Sequence, residues 1–278
     1  MCVTGVTAAR GYAPFMSRKR LDALLAERGL YETRTRAAAA VLAGDVRIGE
    51  QRRPAEKPGQ LVADDVAVEL AEVPQYVSRG GQKLANALDA LGVDPCNRDC
   101  LDIGASTGGF TDCLLQRGAA RVTAVDVAYG EFHWRLRNDP RVTVIERTNA
   151  RALRSGDLPY PPDLVVADVS FISLTKVLPA VLAATADSWD CLAMVKPQFE
   201  VGREKVGKGG VVRSAADRRA ALVSVAGWAA SEGHAVLGFA ASGLAGPAGN
   251  LETFVHLAEG GRSGAVGDID AAALEVEP

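Results

Sequence analysis

The chain has 278 residues, of which 48% are hydrophobic and 23% charged, and its formal net charge is −3. This composition is typical of a globular protein long enough for one large domain and one small domain. No stretch approaches the roughly 18 consecutive apolar residues of a membrane helix, and residues 1–15 lack the apolar core of a secretory signal. Five cysteines without CxxC spacing favour reduced thiols. We therefore expect a cytoplasmic protein with no membrane partner.

The charge is distributed unevenly along the chain. Residues 17–60 hold ten Lys and Arg against six Asp and Glu, whereas residues 61–278 hold twenty against twenty-eight. A basic amino-terminal segment followed by an acidic remainder indicates either a nucleic-acid contact or a solvated surface, and charge alone does not separate the two. The predicted organisation is a disordered extension (1–15), a small α+β domain (16–72), a linker (73–79), a large domain (80–260) and a mobile tail (261–278).

The small domain is predicted from helical spacing and from helix-capping residues. A first helix contains Leu21, Leu24 and Leu25 and ends near Gly29; Thr33 can cap a second helix that is stopped by Gly44. Short strands are expected at 46–48 and 66–70. The tract 78–81, Ser-Arg-Gly-Gly, is expected to interrupt regular structure before a helix over 82–91.

The large domain alternates apolar strand patterns with helical ones. This alternation predicts an α/β fold with a mostly parallel, seven-stranded sheet and helices on both faces. The last two strands are separated by a short Gly/Pro loop, so we expect an antiparallel pair at the edge. The predicted strands are 100–103, 121–126, 142–146, 163–168, 190–195, 235–241 and 251–257.

A glycine-rich turn is the most informative feature of the large domain. The strand Leu101–Ile103 runs into Gly104-Ala105-Ser106-Thr107-Gly108-Gly109, and a helix follows from Phe110. Glycines let a ligand approach the backbone, and the helix start offers free N–H groups. Asp126 ends the next strand about 20 residues later, where a carboxylate can accept hydrogen bonds from a ribose. Together these features predict a nucleoside cofactor.

Further polar residues fall where predicted strands end. Asn149, Asp168 and Lys196 each lie at or close behind such an end, and ligands of open α/β sheets bind beyond the carboxyl ends of the strands. A charged group in this position is costly to bury without a partner. We therefore expect these residues to share one site with the glycine turn.

A second interpretation of the turn is a hydrolase nucleophile. Gly104-Ala-Ser-Thr-Gly108 matches G-x-S-x-G, with Ser106 as nucleophile and His256 as a late histidine. Such an enzyme gives no role to Asp126 or Lys196, which weighs against it. The three histidines lie far apart without ligand spacing, so no metal site is expected. The loop 202–210 is basic and glycine-rich; it suits either phosphate contacts, a lid or a plain surface loop.

Four segments together resemble a known family. They are Gly104–Thr111, Asp168–Ser173, Val195–Glu200 and Asn250–Glu252, and they are similar to those of the TlyA-type RNA methyltransferases. The likeness covers roughly residues 17–259. It implies an S4-like RNA-binding domain joined to an FtsJ-like domain of the Rossmann-like class I methyltransferase fold. It also implies methyl transfer from S-adenosylmethionine to ribose 2′-hydroxyls of ribosomal RNA, at cytidines; some members carry a haemolysin label.

The resemblance assigns roles to individual residues. The implied catalytic set is Lys83, Asp168, Lys196 and Glu252. The implied RNA contacts are Arg18, Arg20, Arg34 and Arg36. Phe171 follows Asp168 closely enough either to stack on the target base or to pack in the core, and this expectation rests on its position alone. The implied cofactor residues are Gly104, Ala105, Ser106, Thr107, Gly108, Gly109, Phe110, Asp126, Asn149 and Asp168.

One segment departs from the family pattern. Mycobacterial members carry Arg-x-Trp-Val before Ser-Arg-Gly, whereas this chain has Pro74-Gln75-Tyr76-Val77. If that segment couples RNA binding to cofactor binding, the coupling differs here.

The expected reaction needs an oriented hydroxyl and a base but no metal. Our hypothesis is that Lys196 aligns the 2′-hydroxyl and takes its proton, which requires the neutral amine; Lys83 and a positive sulfur nearby favour that form, while Asp168 and Glu252 hold the amines in place. A monomer acting on ribosomal RNA or ribosomal subunits is the expected state. The alternatives are a serine hydrolase and a non-catalytic RNA-binding or haemolysin-like protein.

Overall fold

The structure, a computed structural model, describes residues 18–70 and 75–277. The chain divides between residues 74 and 75 into two compact units, which are described separately. The predicted extension 1–15 lies outside the described residues, as do positions 71–72 of the predicted small domain and positions 73–74 of the predicted linker.

The first unit is a small α+β module around two helices. Leu21, Leu24 and Leu25 of its first helix are buried against Ala37 and Val41 of its second. Its strands form one antiparallel pair, β1 with β4, and one three-stranded sheet in the order β3-β2-β5. The elements are β1 (Arg18–Arg20), α1 (Leu21–Glu27), α2 (Arg34–Ala43), β2 (Val46–Ile48), β3 (Arg53–Pro54), β4 (Leu61–Ala63) and β5 (Val68–Leu70).

The ends of α2 follow the predicted capping. Thr33 Oγ1 accepts a hydrogen bond from the Arg36 N–H at 3.2 Å, and Gly44 closes the helix with a φ of 85°. A side-chain oxygen at the first position satisfies a backbone donor, and a left-handed glycine ends the helix without strain. The sequence pattern missed β1, β3 and β4, which are two or three residues long.

The second unit is built on a seven-stranded sheet in the order β11-β12-β10-β9-β6-β7-β8. Strands β6 to β10 run parallel, and β12 runs antiparallel to both of its neighbours. The predicted seven strands and the antiparallel edge pair are confirmed. The elements are α3 (Arg79–Leu91), β6 (Asp99–Ile103), α4 (Gly109–Gln116), β7 (Arg121–Val125), α5 (Trp134–Arg137), β8 (Val142–Ile145), β9 (Leu164–Ala167), α6 (Leu178–Leu182), β10 (Asp190–Val195), α7 (Pro197–Glu200), α8 (Ala215–Ser231), β11 (Ala235–Ala241), β12 (Thr253–Ala258) and α9 (Ile269–Val276).

Both faces of the sheet are covered by helices. Leu192 packs with Leu84 of α3 and Phe110 of α4 on one face, whereas Ala193 packs with Val225 of α8 on the other. Adjacent residues of a strand point to opposite faces, so a strand covered on both sides is apolar throughout. The chain order changes direction between β6 and β9, and this switch point opens a crevice at their carboxyl ends.

The expectation that 78–81 interrupts regular structure is wrong, because α3 begins at Arg79 and includes Gly80 and Gly81. A Cβ on Gly81 would lie 2.3 Å from Cγ of Tyr76, which is buried. The glycine therefore serves close packing, not chain reversal. Residues 75–79, predicted as linker, pack as part of the second unit.

The segment predicted as a mobile tail contains a helix in its described part, 261–277. Asp268 accepts a hydrogen bond from the Ala271 N–H at 3.0 Å and so begins α9, whose Ala273 is buried. The Glu277 carboxylate is buried and accepts a hydrogen bond from Arg218 Nε at 2.9 Å. The Gly- and Ala-rich composition concealed a capped helix that tertiary packing holds in place.

An ion-pair cluster closes the amino-terminal edge of the sheet at Asp190, the first residue of β10. Arg98 Nη1 donates to Asp190 Oδ2 at 2.7 Å, and His256 Nε2 lies 2.8 Å from Oδ1. Arg262 Nη1 approaches the same Oδ1 at 3.3 Å. Burial raises the pKa of Asp190, but the hydrogen bonds from His256 and Arg98 outweigh burial and hold the pKa at about 2.

We expect Asp190→Asn to lower the free energy of unfolding near neutral pH by about 2 kcal/mol, because the native pKa lies well below the ordinary value. A lowered carboxyl pKa stabilises the fold above the ordinary value of 3.8, and that contribution disappears as the pH falls toward about 2. Urea unfolding across this interval should be steeper in pH for the wild type than for the variant. Asp187→Asn, which changes an exposed carboxyl of the same unit, is the control. Equal pH dependence of wild type and Asp190→Asn would contradict the assignment.

Candidate cofactor and active site

The glycine turn between β6 and α4 is tightly constrained. Gly104 has a φ of 82°, and a Cβ there would lie 2.4 Å from the backbone oxygen of Asp168. Gly108 has a φ of 95°, and a Cβ there would lie 2.5 Å from Leu136 Cδ1. Both positions therefore combine a left-handed backbone with lack of space for a side chain, which only glycine accommodates. The turn stays narrow and presents backbone to the crevice.

Asp102, within β6, ties the turn to the helix that follows it. Its fully buried carboxylate accepts hydrogen bonds at Oδ2 from the Thr111 N–H at 2.9 Å and the Thr111 hydroxyl at 2.7 Å. Burial raises its pKa to about 7; the Thr111 hydrogen bonds oppose this, and the charges of Asp168 and Asp126 add to it. No role was predicted for Asp102, although a carboxylate inside an apolar strand was the available signal.

Asp126, directly after β7, holds the other side of the turn. Its Oδ2 accepts the Ser106 N–H and its Oδ1 accepts the Ala128 N–H, both at 2.7 Å. Because Ser106 has a φ of 47°, this contact fixes a non-glycine residue in a left-handed conformation. Each carboxylate oxygen can accept further hydrogen bonds.

A cleft of about 360 Å³ lies between the turn and the loops after β7, β8 and β9. Asp126 and Asn149 both line this cleft beside the glycine turn. Glu131 lines it as well and was not predicted. Its remaining wall is largely apolar and includes Val127 and Ile172. A mixed apolar wall with a few polar groups is typical of small-molecule sites.

A second cleft, of about 460 Å³, shares Gly104, Ser106, Asp168 and Ser170 with the first. It brings together all four residues of the predicted catalytic set, Lys83, Asp168, Lys196 and Glu252. Most of the glycine turn lines it as well. The two clefts therefore form one continuous crevice at the carboxyl ends of the parallel strands.

The four charged groups form two ion pairs. Lys83 Nζ donates to Glu252 Oε2, and both side chains are nearly fully buried. Lys196 Nζ lies 2.5 Å from Asp168 Oδ1, an ion-pair contact without hydrogen-bond geometry, and donates a hydrogen bond to Ser170 Oγ at 2.9 Å. Ser170 was not predicted, although it lies within a motif that was.

The topology explains how distant residues meet here. Asp168 follows β9 and Lys196 follows β10, so both lie at the carboxyl edge of the sheet. Glu252 precedes β12, but β12 is antiparallel and its Thr253 pairs with Val195, so the start of β12 lies at that same edge. Lys83 comes from α3, which covers one face of the sheet.

The family model for FtsJ-like methyltransferases matches residues 76–259. The TlyA 16S/23S rRNA (cytidine-2′-O)-methyltransferase of Mycobacterium tuberculosis is 49% identical over 242 residues, covering 86% of this chain and 90% of the relative. The chain belongs to this TlyA-type, FtsJ-like family. A candidate rRNA methyltransferase of Bacillus subtilis, YqxC, is 45% identical, covering 86% of this chain and 85% of the relative. The structure of a candidate hemolysin from Streptococcus thermophilus has a TM-score of 0.70 at 38% identity, covering 94% of this chain and 96% of that one.

Phe171 of the family motif Asp168–Ser173 is not a core residue. It is 91% exposed, has a φ of 64°, and its ring centroid lies 5.2 Å from that of Phe199. The Glu200 carboxylate accepts hydrogen bonds from the Ser173 hydroxyl at 2.6 Å and the Leu174 N–H at 2.8 Å, and burial raises its pKa. These contacts tie the loop that carries Phe171 to the segment that follows Lys196.

The predicted RNA-binding arginines are exposed in the first unit, and three of them pair with acids. Arg20 Nη2 lies 2.8 Å and Arg34 Nη2 3.5 Å from the same Oδ2 of buried Asp22. Arg36 Nη1 lies 2.7 Å from Glu32 Oε2, and Arg18 is exposed at the start of β1. Asp22, which sequence reasoning missed, therefore holds Arg20 and Arg34 together.

The geometry rules out the hydrolase triad. His256 contacts Asp190 at the amino-terminal edge of the sheet, whereas Ser106 lies beyond the carboxyl edge.

Within the described ranges, no group of three or more His, Cys, Asp or Glu is placed to hold a metal ion. No helix among the described residues is long and apolar enough to cross a membrane.

We expect Gly104→Ala to destabilise the fold more than Gly233→Ala. Both glycines have a similar positive φ, but a Cβ at Gly233 meets nothing within 4 Å. The control therefore carries only the backbone cost of roughly 1–2 kcal/mol, while Gly104→Ala must also displace the Asp168 carbonyl. The difference in the free energy of unfolding, measured in urea, should exceed about 1 kcal/mol. Equal losses would show that the predicted clash is absent.

Proposed function

We propose that the protein transfers a methyl group from S-adenosylmethionine to ribose 2′-hydroxyls of ribosomal RNA, at cytidines. The observation that carries the proposal is the pairing of Lys83 with Glu252 and of Lys196 with Asp168 beside a nucleoside-sized cleft. The M. tuberculosis relative, a 16S/23S rRNA (cytidine-2′-O)-methyltransferase, supports the substrate and the position methylated. Because ribosomal RNA is the substrate, the site of action is the cytoplasm.

The residues present suit S-adenosylmethionine. Gly104 lines the cleft with backbone alone, because the Asp168 carbonyl closes the space that a side chain would need, and Asp126 keeps lone pairs for ribose hydroxyls. Asn149 and the apolar wall with Ile172 suit the base. Asp168, shared by both clefts, supplies a carboxylate for a cationic centre. When bound, this cofactor supplies the electrophilic methyl group.

Lys196 orients the attacking hydroxyl and takes its proton. Asp168, with Oδ1 at 2.5 Å from Nζ, then stabilises the ammonium that forms. Ser170 fixes the direction of the amine through its 2.9 Å hydrogen bond. The buried Lys83–Glu252 pair holds the opposite wall of the cleft in place, because either charge alone would be costly to bury.

Phe171 provides a stacking surface for the target base. An aromatic ring that is 91% exposed and supported by Phe199 is suited to a base drawn out of its stack. Its left-handed backbone, held by the loop contacts of Glu200, is consistent with a functional constraint.

The first unit is proposed to act as an S4-like RNA-binding domain. Arg18, Arg20, Arg34 and Arg36 would contact phosphates, with Asp22 orienting two of them. Phosphate contacts give affinity that falls with salt concentration. We propose that the enzyme acts as a monomer on ribosomal RNA or on ribosomal subunits, without a metal.

We expect Lys196→Ala to lower kcat for methyl transfer to ribosomal RNA by about 100-fold or more, because it removes the base. Lys196→Arg should be nearly as defective, because arginine keeps the charge but does not accept a proton. Incorporation of labelled methyl groups measures the rate, and calorimetry should find cofactor affinity unchanged within about 3-fold. Ser106→Ala tests the hydrolase alternative and should stay active. Near-normal methylation by Lys196→Ala would contradict the assignment.

We expect Phe171→Ala to raise the KM for RNA or lower kcat by about 10- to 100-fold, the loss expected from one base stack. Phe171→Tyr should retain activity and Phe171→Leu should not, because stacking requires an aromatic ring. Cofactor affinity should be unaffected in all three variants. Equal activity of the Leu and Tyr variants would exclude a stacking role.

A further inference from the structure

Asn250 is a buried amide that joins two loops of the second unit. It is 1% exposed. Its Oδ1 accepts the Val212 N–H at 2.9 Å, and its Nδ2 donates to the Gly210 oxygen at 2.8 Å. Both ends of the side chain are thus committed to the backbone of one distant loop.

That loop, Gly202–Arg213, is basic and internally closed. The Gly207 N–H donates to the Val211 oxygen, and the Gly210 N–H donates to the Gly207 oxygen, both at 3.0 Å. Lys208 is exposed at the turn between these contacts. The loop begins six positions after Lys196, the proposed base, and is separated from it by the short helix α7.

On its other side Asn250 belongs to the turn that carries Glu252. Its backbone oxygen accepts the Gly246 N–H at 2.8 Å, and a Cβ on Gly246 would lie 2.5 Å from Glu252 Oε1. The Ser242 N–H also donates to the backbone oxygen of Glu252 at 3.0 Å. A shift of this turn would therefore move the carboxylate that pairs with Lys83.

We propose that Asn250 is a positioning residue that couples contact of the RNA backbone with the loop Gly202–Arg213 to alignment of the Lys83–Glu252 pair. The inference rests on the proposed function. A phosphate near Lys208 holds the loop, and the two hydrogen bonds of Asn250 pass that restraint to Glu252. A purely structural amide would stabilise the turn without linking Lys208 to turnover.

A double-mutant cycle separates these two roles, because independent sites give additive effects and coupled sites do not. Lys208→Ala alone should raise the KM for RNA about 5-fold, through the lost phosphate contact, and should lower kcat about 5-fold, through the lost restraint on Glu252. Asn250→Ala should lower kcat about 10-fold while the calorimetric affinity for S-adenosylmethionine changes less than about 2-fold. In the Asn250→Ala background, Lys208→Ala should change kcat by less than about 2-fold, while the KM effect of the lost phosphate contact remains. An equal fold-change in kcat on Lys208→Ala in both backgrounds would overturn the proposal.

Asn250→Asp provides a second variant if Asn250→Ala does not fold. The aspartate keeps an oxygen that accepts the Val212 N–H, but its second oxygen faces the Gly210 carbonyl oxygen and repels it. This variant should therefore show the same loss of coupling. Arg154→Ala, a cation change on the exposed surface of the same unit, should leave all parameters unchanged in both backgrounds. Absence of methylation by the wild type would refute the proposed function itself, whereas an active wild type with an additive cycle would refute only the coupling.

Discussion

The structure depends on bringing opposite charges to one edge of an otherwise apolar sheet. Burial of a single ammonium or carboxylate is costly, and pairing repays that cost only when geometry is good. Here Lys83 meets Glu252 and Lys196 meets Asp168. The antiparallel β12 makes this possible, because its reversed direction delivers Glu252 to the edge where the parallel strands end. The second charge cluster, at Asp190, lies at the opposite edge and closes the fold without entering the crevice.

The glycine turn shows how a backbone can serve as a binding surface. Gly104 leaves no room for a side chain beside the Asp168 carbonyl, so two loops meet at van der Waals distance. Asp102 and Asp126 then brace the turn from both sides through backbone N–H groups. These contacts restrain the backbone of the turn and therefore the positions of the side chains that it carries. Ser106, which by motif alone resembles a nucleophile, is one of the braced residues.

Much of this arrangement could be predicted from the sequence. Strand periodicity predicted the seven strands of the large sheet. The positions of charged residues directly behind strands predicted Asp168 and Lys196. Lys83 and Glu252 came only from family resemblance, because one lies in a helix and the other before a strand. Asp22, Asp102, Ser170, Glu200 and the amide bridge of Asn250 were missed. Each of these residues acts through a partner distant in sequence or through backbone groups that carry no sequence signal.

The sequence by itself determined the α/β class, the glycine turn and the family, since these depend on local periodicity, on left-handed positions and on motifs. Only the tertiary structure decided which charges pair, that Phe171 lies on the surface, and that the last helix is ordered. It also decided that glycines 80 and 81 belong to a helix, in which a Cβ on Gly81 would clash with Tyr76. Such outcomes depend on contacts between segments far apart in the chain, and local pattern does not encode the distance between them.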